Sequence, residues 1–139
     1  MKKNTSITQI MSEEVKTVNT TQKLSEVRQM LSSNPIHHVP VVSGSKLVGM
    51  LSATDILGLS FGGYQLDDRS MDSMLDHQFT IEEVMQKDVV TIRNRETIRD
   101  AAQVLAEGSF HSLPVVDDKG HLQGIVTSTD LIRYLYKQY

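Results

Sequence analysis

Apolar positions along the chain follow two spacings, and the same succession occurs twice. Leu24, Val27, Met30 and Leu31 recur at three- and four-residue intervals, as do Ile98, Ala101, Ala102 and Leu105, which predicts an amphipathic helix in each half. Thr20 and Asn94 stand upstream as N-caps, and Asn34-Pro35 and Gly108 are stop signals. Two short strands follow each helix: Val39–Ser43 with Leu47–Leu51, then Leu113–Asp117 with Leu122–Val126. Gly44 and the Asp118-Lys119-Gly120 stretch supply their turns. Thr17-Val18 and Val90-Thr91-Ile92 read as a short strand ahead of each helix. A further helix begins near Asp55, running to about Ser60, and near Asp130, running to the C-terminus.

The succession is a true repeat. Ile36 through Val42 returns as Phe110 through Val116, a shift of 74 residues, and Lys46 through Leu57 returns as His121 through Ile132, a shift of 75. Ile7 through Val18 aligns with Ile81 through Ile92, again shifted by 74. Two copies of one supersecondary unit imply two related surfaces, so a site in one copy has a counterpart in the other. The expected fold is a two-lobed α/β protein, each lobe a small sheet with helices on one side, related by pseudo-two-fold symmetry. Residues 1–60 form the first repeat, 61–79 a connector and 80–139 the second repeat. Gly62-Gly63 breaks the connector, and Met71 through Leu75 suits a helical turn.

Composition narrows the function. Fourteen basic against seventeen acidic side chains give a net charge of −3, which speaks against non-specific nucleic-acid binding. No cysteine is present, so disulfides and thiolate metal sites are excluded. The start lacks the apolar core of a signal peptide and the apolar runs are short, so a cytoplasmic protein that does not enter a membrane is expected.

The strongest local signal is Gly49 through Asp55 with its twin Gly124 through Asp130. Each places a glycine in a strand, a hydroxyl at the strand's end and an aspartate three residues later at a helix start. Ser52-x-x-Asp55 and Thr127-x-x-Asp130 read as capping boxes. The same geometry also suits a ribose-phosphate site. Helix N–H groups and the hydroxyls of Ser52, Thr54, Thr127 and Thr129 suit a phosphate, and a carboxylate accepts from ribose hydroxyls. The glycine permits close approach to the sheet. Arg133, one turn after Asp130, suits a phosphate or a solvated helix face; the first copy has Gly58 there. His37, His38 and His111 could suggest a metal centre, but no carboxylate stands at helical spacing beside them, and at a strand entrance they read as hydrogen-bonding or surface residues. Pro40 and Pro114 read as edge or entry prolines, and the methionines as core filling. No catalytic set is evident, so an enzyme is not expected.

The doubled, ordered set, from Leu/Val-Pro-Val-Val through a turn to Gly, two apolar residues and Ser/Thr-x-x-Asp, resembles the CBS domain, named from cystathionine β-synthase. The resemblance runs from about Ile7 to Leu135 and covers both copies. It implies two CBS-type β-α-β-β-α repeats with small mixed sheets, forming a regulatory module. Two clefts between the repeats would bind an adenosine-containing ligand: AMP, ADP, ATP, S-adenosylmethionine or NAD. By resemblance, Asp55 and Asp130 hold the ribose, and Ser52 and Thr127, with Thr54 and Thr129 adjacent, lie near the phosphate. The stretches His37, His38, Val39, Pro40 and His111, Ser112, Leu113, Pro114 supply backbone contacts to the base and basic side chains to phosphates. Thr17 and Thr91 match further cleft-lining positions. Ser112 in place of His38 removes one possible cation from the second copy.

The resemblance also implies a homodimer, with Leu131, Tyr134 and Leu135 as candidate contact residues, and output to a partner protein or a second copy. No cofactor is required beyond the regulatory ligand. The alternative is an adaptor that binds no ligand and only mediates protein association.

Overall fold

The computed structural model describes residues 4–34, 36–59 and 67–139. Among them the chain forms two mixed three-stranded sheets with helices, an α/β fold. The first copy runs β1 (Val18–Asn19), α1 (Leu24–Ser33), β2 (His38–Ser43), β3 (Lys46–Ser52) and α2 (Ala53–Leu59). Two further helices follow, α3 (Asp68–Gln78) and α4 (Ile81–Val84). The second copy runs β4 (Ile92–Arg93), α5 (Ile98–Ala106), β5 (Ser112–Val116), β6 (Leu122–Thr127) and α6 (Ser128–Gln138). Pro35 and the Gly62-Gly63 break lie outside the described residues.

In each sheet the central strand pairs parallel with the short first strand and antiparallel with the third. Both hairpins shift register at the same place, between Val41 and Val42 and between Val115 and Val116. The extra residue of the second copy lies in the turn. Gly44 takes φ 65° in the shorter turn and Gly120 φ 84° in the longer one, a left-handed backbone that glycine adopts without Cβ strain. Asp117 secures the longer turn, accepting from the N–H groups of Lys119 and His121, both at 2.9 Å.

The prolines sit in the central strands, and the pairing explains their tolerance. Met50 exchanges both its backbone hydrogen bonds with Gln86, at 3.0 and 2.9 Å, so the Pro40–Met50 pair is of the non-hydrogen-bonded kind. Ile125 does the same with Ser12, at 2.9 and 2.8 Å, opposite Pro114. On the other side β1 begins level with Val41, one residue beyond Pro40. The missing proline N–H therefore costs no ladder bond.

The compact units are not coextensive with the repeats. One comprises Lys16–Val89; the other joins the chain up to Val15 with Val90–Tyr139. The leading segment of each repeat packs on the sheet of the other. Ile7, in a 3₁₀ turn (Ile7–Gln9), is fully buried with Ile92, Ala101, Leu113, Val115 and Val126. Its equivalent Ile81 is fully buried with Val18, Val27, Val39, Val41 and Leu51. Backbone bonds from Ile7 N–H to Glu96 C=O (3.0 Å) and from Ile98 N–H to Thr5 C=O (2.9 Å) tie the N-terminal segment to the β4–β6 unit.

The expected helix caps move. α5 is capped by Thr97, which forms a capping box with Asp100, and not by Asn94, whose N–H bonds Val116 C=O. Likewise α1 begins after Lys23, which offers no side-chain cap, so Thr20 lies too far upstream. From Asp67 onward the connector forms a full helix where a helical turn was expected: Asp67 caps α3, and Leu75 is fully buried in the β1–β3 core.

Candidate functional site

Both Ser/Thr-x-x-Asp motifs form capping boxes. Ser52 N–H donates to Asp55 Oδ2 at 3.0 Å, and Asp55 N–H donates to Ser52 Oγ at 3.1 Å. Thr127 N–H donates to Asp130 Oδ2 at 2.8 Å, and Asp130 N–H to Thr127 Oγ1 at 3.1 Å. Each box occupies one carboxylate oxygen and leaves Oδ1 outside it. Arg133 Nη1 lies 3.6 Å from Asp130 Oδ1, with the Asp130 side chain 17% exposed and the Arg133 side chain 61%. Thr54 and Thr129, one residue before the aspartates, are exposed.

The strand register gathers the other predicted residues at the same sheet ends. His38 pairs with Ser52, and Ser112 with Thr127. Thr17 directly precedes β1, and Thr91 directly precedes β4, at the ends where β2 and β5 begin. Thr17 is half-buried, while Thr91, His37, His38 and His111 are exposed. The His37 carbonyl accepts from Ala53 N–H at 2.9 Å, and the His111 carbonyl from Ser128 N–H at 2.9 Å, so these oxygens already anchor the helix starts. Val39, Pro40, Leu113 and Pro114 are buried, Val39 and Leu113 completely, backbone included.

The motif glycines have a reason that the motif alone does not reveal. A Cβ at Gly124 would stand 2.6 Å from the Ser12 carbonyl and 2.9 Å from Met11 Sδ. A Cβ at Gly49 would meet Met85 and, at 3.0 Å, the Gln86 carbonyl. The close approach is made by the protein's own exchanged segments.

Each unit has an open depression beside its motif aspartate. In the β1–β3 unit it has about 510 Å³ and is lined by Thr54, Asp55, Gly58 and Leu59 with Phe79, Glu83 and Val84. In the β4–β6 unit it has about 490 Å³ and is lined by Asp130, Arg133, Tyr134, Lys137 and Gln138 with Thr5, Gln9 and Ile10. The two correspond through the repeat, Asp55 to Asp130, Gly58 to Arg133, Glu83 to Gln9. Sequence reasoning missed Gln9, Glu83 and Lys137. Their signal was the alignment of residues 7–18 with 81–92 and the helical spacing of Lys137 from Arg133.

Leu131 and Tyr134, candidates for a contact between copies, are partly buried and pack against the β4–β6 core. The exposed apolar residues of α6 are Ile132, Leu135 and Tyr136, with Tyr139 just beyond. Among the described residues no three His, Asp or Glu side chains are grouped to hold a metal ion, and no helix is long and apolar enough to cross a membrane.

Uncharacterized protein MJ1225 of Methanocaldococcus jannaschii is 26% identical over 114 residues, covering 81% of this chain and 41% of that protein. The chain spans less than half the length of the first curated relatives it matches. Among solved structures, CBSX2 of Arabidopsis thaliana, in complex with AMP, superposes with a TM-score of 0.79 at 23% identity, covering 96% of this chain and 98% of that one. The CBS domain pair of protein MJ0100, in complex with 5′-methylthioadenosine and S-adenosyl-L-methionine, gives 0.73 at 27%, covering 97% and 98%. The CBS domain family model matches residues 7–62 and 81–137. With the doubled Gly-to-Asp motif on two like sheets, the chain thus belongs to the CBS domain family and carries two of its domains.

Proposed function

We propose that this protein is a regulatory module, not an enzyme, that binds an adenosine-containing ligand such as AMP, ADP, ATP, S-adenosylmethionine or NAD in the cytoplasm. Asp55 and Asp130 accept from ribose hydroxyls through Oδ1. Ser52, Thr54, Thr127, Thr129 and Arg133 serve the phosphate side. The stretches His37–Pro40 and His111–Pro114, with Thr17 and Thr91, border the base. The observation that carries this reading is the convergence, in each unit, of these residues at one sheet end beside a carboxylate with an oxygen outside its capping box. Similarity to CBS pairs bound to AMP, 5′-methylthioadenosine and S-adenosyl-L-methionine supports it. A ligand that binds two states of the module unequally shifts their populations, and a partner or second copy reads the change.

Isothermal titration calorimetry of the five ligands against wild type and Asp130→Ala tests the proposal. At least one ligand should bind saturably and lose affinity in the variant, while loss of the cap lowers stability by about 1 kcal/mol. No binding by any of them to the folded protein, or unchanged affinity in the variant, would reject the assignment. The exposed Ile132, Leu135 and Tyr136 favour one other reading, an adaptor that only associates with proteins. Partner binding that persists in Asp55→Ala/Asp130→Ala, with no ligand bound by wild type, would support it.

A further inference from the structure

The two equivalent depressions carry opposite charge. Beside Asp130 stand Arg133 and Lys137, one turn apart on α6, and the exchanged segment contributes the neutral Gln9. Beside Asp55 the helix has Gly58 where Arg133 would be, and the exchanged segment contributes Glu83 where Gln9 would be. Two cations thus oppose one carboxylate in the first case. In the second, two carboxylates stand with no cation among the described lining residues. Glu83 is held at the start of α4, its Oε1 accepting from the Thr80 hydroxyl at 2.9 Å. Concave surfaces lined by one sign of charge concentrate ligands of the other.

We infer that these residues sort ligands by charge. The α6 depression receives the phosphorylated end of an adenosine ligand, with Arg133 and Lys137 as its specificity-determining residues. The α2 depression disfavours phosphate and receives an uncharged or cationic adenosine compound, so that Ser52 and Thr54 meet a 5′ substituent other than phosphate, with Glu83 and the absent side chain at Gly58 deciding this. The inference rests on the adenosine-ligand reading above and adds which copy takes which class. Arg133 keeps donors for an anion beyond the one nearest Asp130, since a guanidinium has five N–H groups.

The test is calorimetry with AMP and with adenosine, which differ only in the phosphate. Wild type should bind one AMP per chain, roughly tenfold tighter than adenosine at that site, as charge-assisted contacts of this kind allow. Arg133→Gln/Lys137→Gln should abolish that preference and leave adenosine affinity in place. Gly58→Arg/Glu83→Gln should create a second AMP site. A side chain fits at Gly58, because a Cβ there has no atom within 4 Å. Glu83→Gln alone, which adds no bulk, should raise AMP affinity at the α2 depression and serves if the double variant folds poorly. Equal affinity for AMP and adenosine, or AMP binding insensitive to both sets of variants, would overturn the sorting. Absence of binding by AMP, adenosine and S-adenosylmethionine alike would instead remove the adenosine-ligand reading beneath it.

Discussion

Asp76 holds Ser25 at two points across fifty-one residues of chain: its Oδ2 accepts the Ser25 hydroxyl at 2.6 Å, and its Oδ1 accepts the Ser25 N–H at 2.9 Å. That N–H is one of the unpaired donors of the first turn of α1, a helix whose own N-cap, Lys23, has no capping side chain. The connector helix α3 thus supplies a cap that the first copy lacks, whereas α5 of the second copy caps itself with Thr97 and Asp100. An ion pair of 2.9 Å between Arg28 and Asp72 and the burial of Leu75 fasten the same two helices.

Asp76→Ala should therefore lower unfolding free energy by about 1–2 kcal/mol, the cost of a lost cap with a buried partner left unpaired. Chemical denaturation measures the loss, and hydrogen exchange locates it. The Ser25 amide should lose protection first, and continued protection there would count against α3 as the cap.

The exchanged segments make a mutation in one repeat act on the other. Ile7→Ala should cost about 2–5 kcal/mol, the usual range for emptying a buried site of this size. The loss should fall on β4–β6 and α5, whose core Ile7 completes, while β1–β3 keeps its hydrogen-exchange protection. Ile81→Ala should give the reverse pattern. Loss of protection confined to the mutated repeat would contradict the exchange.

The two motif glycines should differ in tolerance. Alanine at Gly124 meets the Ser12 backbone carbonyl, which is also paired to Ile125, so it should cost about 1–3 kcal/mol as an overpacking change. Alanine at Gly49 meets chiefly the Met85 thioether, a flexible side chain, and should cost less. Thermal melts of the two variants give the ranking directly.

Acid should weaken the protein through particular aspartates. The Thr97 N–H, then its hydroxyl, holds Asp100 below the ordinary value of 3.8, and the N–H groups of His121 and Lys119 do the same for Asp117. A carboxyl whose folded pKa is depressed stabilises above its unfolded pKa, and that contribution is lost as pH falls through the folded value. The melting temperature should thus begin to drop below about pH 4, and Asp100→Asn or Asp117→Asn should flatten the drop. An unchanged pH profile in both variants would exclude them as the groups responsible.

Local patterns were enough for the repeat, the helix–strand alternation and the motif, because periodicity and turn chemistry act over a few neighbouring residues. Even the extra residue of the second hairpin could be assigned to its turn. The capping-box and ligand-site readings of Ser52–Asp55 and Thr127–Asp130 could not be separated in the sequence, since one arrangement of hydroxyl and carboxylate serves both. The structure shows the box while leaving Oδ1 outside it. What only the tertiary structure decided involves partners far apart along the chain. Ile7 and Ile81 occupy the same place in the repeat pattern whichever sheet they cover, so periodicity cannot say that each crosses to the other's core. For the same reason Gly49 and Gly124 pointed to a close approach without revealing that Met85 and Met11 make it. The cap that Asp76 lends to α1, and the placing of Glu83 in the depression of Asp55 and of Gln9 in that of Arg133, likewise depend on where a distant segment packs. Burial and long-range hydrogen bonding choose that place, and no local spacing encodes them.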